Sequence, residues 1–226
     1  MDTPTILLVA AASLEIEPLL VDAQRIEENF YTINVNKILI DVLITGLGST
    51  AMTYYLTKQL QNRKYSFVVL LGVAGAYSHQ FQLGDVVFVK SERFADLGIL
   101  EDNKFTSLFD MQLCEDDTFP FINGKLDNYT LINNKIIEQL PVVKGNTVQS
   151  IRPSINSAIC SNTDIESMEG ASFFYVCMLE KQAFVQLRAI SNYVGEQNKK
   201  HWNIPLAVTK LTNTFKDVIN EFTVTD

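Results

Sequence analysis

Residues Thr5–Ala12 read TILLVAAA, an apolar run in which, after Thr5, no polar side chain marks a solvent face. A run of that length and character suits a strand covered on both sides. It leads into Ser13–Leu20, where Ser13 is a candidate N-cap and acidic side chains fall in the first helical turn. Lys37–Thr45 (KILIDVLIT) repeats the pattern as a second strand and stops at Gly46-Leu47-Gly48. Ser49–Leu60 then places Met52, Tyr55, Leu56 and Leu60 along one helical face. Ser66–Leu71 reads as a third buried strand closed by GVAGA at Gly72–Ala76, and Gly84–Lys90 (GDVVFVK) as a fourth. Strands alternating with helices predict an α/β fold whose central mixed, largely parallel sheet is flanked by helices.

Outward from this core, Glu101–Leu140 breaks the rhythm. It is rich in Asp, Asn and Phe, contains PFING at Pro120–Gly124, and reads as a long excursion, either a lid or an interface element. Order resumes with Asn146–Ile151, a helix near Glu169–Leu179, a strand at Phe184–Ser191 and a closing helix within Pro205–Phe222. There is no internal repeat. A chain of 226 residues with 47% hydrophobic content is expected to form one domain over residues 1–226.

Charge narrows the partners. The net charge is −8 and the pI about 4.8, with no Lys/Arg block, which argues against nucleic acid or an anionic membrane surface. No apolar run reaches the roughly 20 residues of a membrane span, and Met1–Pro4 lacks the basic start of a secretory signal. A cytoplasmic protein is expected. Cys114, Cys160 and Cys177 are odd in number and widely spaced, and only His79 and His201 could join them. Neither a zinc site nor a disulfide framework is expected, and the thiols read as reduced.

Several positions have the chemistry to do more than pack. Glu15 follows the first strand, where open α/β sheets place ligands, and a carboxylate there can activate water. It is equally an ordinary first-turn acid favoured by the helix dipole, and Glu17 is a rival for either role. Glu169, beside Met168, opens the apolar helix ASFFYVCML; its carboxylate needs a partner, either a salt bridge or a substrate diol. Arg188 interrupts the apolar strand FVQLRAISNY and needs an acceptor, for which a structural ion pair suffices. Asn192 ends that strand with a donor and an acceptor, fit to cap a turn or to read a heterocycle edge. Gly72 and Gly75 allow close approach of a ligand to the backbone, although turn glycines are the simpler account. Neither GVAGA nor GLGST at Gly46–Thr50 matches a dinucleotide or P-loop fingerprint.

Taken in order, AAASLEIEPLL (Ala10–Leu20), GVAGAYSHQFQLGDVV (Gly72–Val87), SMEGASF (Ser167–Phe173) and RAISN (Arg188–Asn192) resemble the hydrolytic branch of the nucleoside phosphorylase/nucleosidase superfamily. Nearly the whole chain is covered. ERFADLG (Glu92–Gly98), TFPFINGKL (Thr118–Leu126), ESMEG (Glu166–Gly170) and QLRAISNYV followed by WNIPLA (Trp202–Ala207) are similar to its futalosine hydrolase subfamily. The resemblance implies cleavage of a purine N-glycosidic bond in a small-molecule nucleoside, without cofactor or metal, by a homodimer or larger oligomer. It implies Glu15 as the water-activating base and Arg188 as a positioner of that water. Glu169 would hold the ribose hydroxyls, Met168 would pack on the sugar, and Val73, Ala74 and Gly75 would line the substrate.

Asn192 departs from the superfamily members that cleave adenine nucleosides, where the matching residue is Asp. An Asn amide donates to a six-oxo group while its carbonyl accepts from a protonated N7, so hypoxanthine fits better than adenine; a mismatched pair costs roughly 1–3 kcal/mol. Asn cannot itself supply the N7 proton. Phosphorolysis would need a phosphate cradle, and GLGST offers no Arg, so hydrolysis is expected. The implied reaction is release of hypoxanthine from futalosine in menaquinone biosynthesis. Two alternatives stay open: a methylthioadenosine/adenosylhomocysteine nucleosidase, and a purine-nucleoside binder without turnover.

Overall fold

The computed structural model describes residues 5–35, 37–102, 104–151, 162–196 and 198–222. Strand β1 (Ile6–Ala10) is buried at every position, as an all-apolar run requires, and is followed by a 3-10 turn (Ser13–Ile16) and short helix α1 (Glu17–Leu20). Then come β2 (Gln24–Glu27), β3 (Phe30–Val35), β4 (Ile38–Ile44), α2 (Ser49–Asn62), β5 (Phe67–Ala76) and β6 (Val86–Phe94). A hairpin of β7 (Gly98–Glu101) and β8 (Lys104–Ser107) leads to β9 (Leu126–Asp127) and α3 (Lys135–Gln139). The described chain closes with β10 (Val142–Thr147), β11 (Ile165–Ser167), α4 (Gly170–Leu179), β12 (Phe184–Tyr193) and α5 (Ile204–Phe222).

The main sheet runs β11-β10-β6-β12-β5-β1-β4-β3-β2, and a further β11–β5 pairing closes β5, β12, β6, β10 and β11 into a ring. The sheet is mixed rather than largely parallel. Pairs β1–β4, β1–β5, β12–β5, β10–β6 and β10–β11 are parallel, while β3–β4, β2–β3, β12–β6, β11–β5 and β6–β9 are antiparallel. Local hairpins at β2–β4, the ring closure and the two antiparallel neighbours of β6 supply the antiparallel half. One apolar layer, with Met52, Leu56, Phe173 and Phe174, seats α2 and α4; another, with Ile16, Leu211, Phe215 and Ile219, seats α5 and the turn after β1. Each such side chain, fully buried, contributes roughly 1.5–3 kcal/mol relative to exposure.

Two expectations change, and two strands are added. GVAGA does not end a strand: β5 runs through it to Ala76, and neither Gly72 nor Gly75 has a positive φ. Strands β2 and β3 lie between α1 and β4, and exposed, polar β2 gives little strand signal. The excursion is partly core, because Leu126, Asn128 and Ile137 are buried and Asn128 Nδ2 donates to Phe184 O at 2.9 Å. Cys177 is buried and Cys114 exposed, both free; Cys160 lies outside the described residues.

Glycine at the start of α4 answers a packing demand. A Cβ on Gly170 would sit 1.9 Å from Glu92 Oε1 and 2.8 Å from Gln186 Nε2. Alanine ordinarily favours a helix by up to about 1 kcal/mol over glycine. Gly170→Ala is expected instead to cost about 1–3 kcal/mol through overpacking, lowering Tm by several degrees. An unchanged or raised Tm in a thermal melt would contradict the packing argument.

Candidate active site

Beyond the carboxyl end of β1 the backbone turns sharply, and Glu15 folds back over it. Its Oε2 accepts from Ala11 N–H and Ala12 N–H, each at 3.1 Å, and its Oε1 accepts from Val73 N–H at 3.0 Å. Glu15 is therefore tied to the end of β1 and to the interior of β5 rather than resting on the N-terminus of α1. Glu17, its rival, is exposed.

Arg188 comes from the middle of β12 and is 1% exposed. It pairs in register with Gly72 of β5, where a Cβ would lie 2.1 Å from Arg188 Nη1 and 2.9 Å from Glu15 Oε1. Only a residue without a side chain lets the guanidinium lie across β5. Nη1 donates to Val73 O at 3.3 Å and stands 4.0 Å from Glu15 Oε1, while Nη2 stands 3.5 Å from Glu169 Oε2. The buried positive charge is thus shared between two carboxylates, as a charge removed from water requires.

Glu169, also buried, precedes α4 and reaches the N-terminus of α2, where Gly48 N–H donates to its Oε1 at 2.9 Å. Gly48 has φ +84°, a left-handed conformation that glycine adopts freely and that turns this N–H toward the carboxylate. The dipole of α2 adds to the attraction. Met168 is half-buried, its carbonyl facing Ser49 Oγ at 3.3 Å.

At the end of β12 the register against β5 shifts between Ile190 and Asn192. That irregularity re-aims the last side chains. Ser191 Oγ donates to Asn192 Oδ1 at 2.8 Å and Asn192 Nδ2 reaches Tyr193 O at 3.3 Å, which fixes the amide's orientation. Gly75 again makes room: a Cβ there would be 3.0 Å from Asn192 Nδ2.

Glu15, Glu169, Met168, Asn192, Val73, Ala74 and Gly75 all line one cavity of about 130 Å³. Arg188 does not line it; the guanidinium lies behind Glu15 and Glu169 and acts on the cavity through them. Leu47, Val148, Ile151, Trp202 and Ile204 give the cavity apolar walls, and Glu166 and Ser191 add polar ones. Among the described residues, no cluster of three or more His, Cys, Asp or Glu is placed to hold a metal. No described helix is long and apolar enough to cross a membrane.

A third buried acid lies deeper. Glu92, 1% exposed, accepts from Gln186 Nε2 at 2.8 Å and from Thr147 Oγ1 at 3.0 Å. The sequence around Glu92 gives no sign of this burial, which follows from the pairing of β6 with β10 and β9. Burial pushes the Glu92 carboxyl up to about 7, against the pull of the Gln186 bond, Arg188 and the Thr147 bond. Burial likewise raises Glu15 above the ordinary carboxylate value, with Arg188 pulling it back and Glu169 pushing it further up.

No protein-family model matches the chain. It is 27% identical over 189 residues to a futalosine hydrolase of Thermus thermophilus, covering 79% of this chain and 80% of that one. It is 23% identical over 197 residues to a 5'-methylthioadenosine/S-adenosylhomocysteine nucleosidase of Colwellia psychrerythraea, covering 79% and 78%. The solved structure of a Helicobacter pylori futalosine hydrolase shares the fold, with a TM-score of 0.78 at 16% identity over 97% of this chain and 98% of that one.

Glu92 makes stability depend on pH in a definite direction. The folded state keeps this proton to about pH 7, whereas the unfolded chain releases it near the ordinary 4.5. Between those values the folded state binds more protons, so stability falls as pH rises through the window, by up to about 3 kcal/mol. Glu92→Gln is expected to gain stability relative to the parent by about that much between pH 5 and pH 8 in denaturant titrations. The same difference between the two proteins at both pH values would contradict this.

Proposed function

We propose that this chain is a nucleosidase that hydrolyses the purine N-glycosidic bond of futalosine, releasing hypoxanthine and dehypoxanthine futalosine. The reading is carried by one convergence: Glu15, Glu169 and Asn192, from three distant segments, share a single cavity, with Arg188 bracing both carboxylates from behind. The futalosine hydrolase relative supports the choice of substrate, and the step belongs to menaquinone biosynthesis.

Hydrolysis with oxocarbenium character needs a positioned nucleophile, a held ribose and a stabilised leaving base. Glu15 takes a proton from water, and the hydroxyl forms the new bond to the anomeric carbon. Burial makes it a stronger base than an exposed carboxylate, and the three backbone N–H groups fix its direction. Glu169 accepts from the ribose hydroxyls, and Met168 packs on the sugar. As the bond to the purine breaks, its electron pair leaves with the base, whose proton comes from water or a relay. Asn192, its carbonyl fixed by Ser191, faces N7 and the six-oxo group.

Adenine release from methylthioadenosine is the second reading, supported by the Colwellia relative. The active form we propose is a cytoplasmic homodimer or larger, folded as one domain, in keeping with the superfamily resemblance.

Incubation with futalosine, followed by chromatography for free hypoxanthine, tests the function. Absence of release at high enzyme concentration ends it, and adenine release from methylthioadenosine at higher efficiency selects the alternative. Glu15→Gln is expected to lower kcat by roughly 10²–10⁴-fold, the usual weight of a general base, with little change in KM. Because all three backbone partners of Glu15 are donors, the amide NH2 meets a mismatched N–H. A drop in stability of about 1–3 kcal/mol should accompany the loss. Unchanged turnover would remove Glu15 from the mechanism.

A further inference from the structure

Five strands contribute one residue each to a single row across the ring. Arg93 of β6 pairs with Asn146 of β10, Asn146 with Glu166 of β11, Glu166 with Gly75 of β5, and Gly75 with Asn192 of β12. Directly paired residues project to the same face of a sheet. Glu166 and Asn192 thus flank Gly75 from opposite sides, and both line the cavity. Two strands on either side of a third stand roughly 10 Å apart, twice the strand spacing of ~4.8 Å. That span holds one purine edge with a hydrogen bond at each end.

The row also fixes what Glu166 can do. Arg93, which can only donate, gives Nε–H to Asn146 Oδ1 at 2.7 Å. Asn146 is thereby oriented with its Nδ2 toward Tyr77 OH, at 3.0 Å. The tyrosine accepts there and turns its own proton to Glu166 Oε2, at 2.9 Å. These three bonds point one way, and at Glu166 the carboxylate accepts from Tyr77. A carboxylate offers about four lone-pair sites and takes several donors at once.

We propose that Glu166 is a specificity-determining residue that accepts N1–H of a six-oxopurine whose O6 and N7 face Asn192. This rests on the nucleosidase reading and sharpens it. A six-oxopurine carries hydrogen on N1; a six-aminopurine presents a bare N1 acceptor there, which a carboxylate repels. The two side chains beside Gly75 then discriminate twice on the same chemical difference, from adjacent edges of one ring.

Calorimetric binding of the free bases to the full chain tests this without turnover. The parent is expected to bind hypoxanthine about 5- to 150-fold more tightly than 1-methylhypoxanthine, the weight of one unsatisfied buried group. Glu166→Met should bring that ratio to within about twofold of unity. Glu166→Gln, whose amide oxygen still accepts but without charge, should give an intermediate ratio. A parent ratio near one, no binding of hypoxanthine, or a parent-like ratio in Glu166→Met overturns the proposal. If Glu166→Met does not fold, a ratio in Glu166→Gln at or above the parent's overturns it instead. Intact discrimination without release of hypoxanthine from futalosine would support this residue's role while ending the proposed reaction.

Discussion

A guanidinium with 1% exposure cannot stand alone, and the site is organised around its pairing. Arg188 draws Glu15 from the turn after β1 and Glu169 from the start of α4 to within 4.0 and 3.5 Å of its nitrogens. Either carboxylate without the cation would be an uncompensated buried charge, at a cost of several kcal/mol. The cation without them would fare no better. The chemistry of the cavity and the packing of three separate segments therefore depend on one another.

Strand β5 is the floor on which this is built. Gly72 and Gly75 are bare so that two side chains of β12 can lie across it, the guanidinium over the first and the Asn192 amide over the second. Neighbouring backbone serves as ligand too, with Val73 N–H bonded to Glu15 and Val73 O to Arg188. Acidic groups outnumber the single cation, and its pull only partly offsets the desolvation that raises both Glu15 and Glu92. A cluster with surplus negative charge suits a transition state in which the sugar becomes positive.

Part of this was legible in the sequence. The apolar runs of β1, β4 and β12 name themselves, and Arg188 inside FVQLRAISNY announces a buried charge that needs a partner. Glu15, Glu169 and Asn192 were recognisable as candidates because each places polar chemistry at the edge of an apolar element. GVAGA reads as a turn from sequence, since local propensity assigns glycines to turns and cannot see that side chains from another strand demand them. Glu166 and Glu92 carried no signal of their own. The pairing of β11 with β5, a contact between residues some 90 apart in the chain, brings Glu166 to the cavity, and the pairing of β6 with β10 and β9 sets Glu92 in the interior.

The geometry of one planar cation, and not only its charge, holds the two carboxylates in working position. Arg188→Lys keeps the charge and removes the fork that reaches both acids. Measured with futalosine, kcat/KM of this variant is predicted to fall by about 100-fold or more, as misplacing reacting groups by about 1 Å does, in a protein that remains folded. Turnover at the parent level in folded Arg188→Lys would contradict the account.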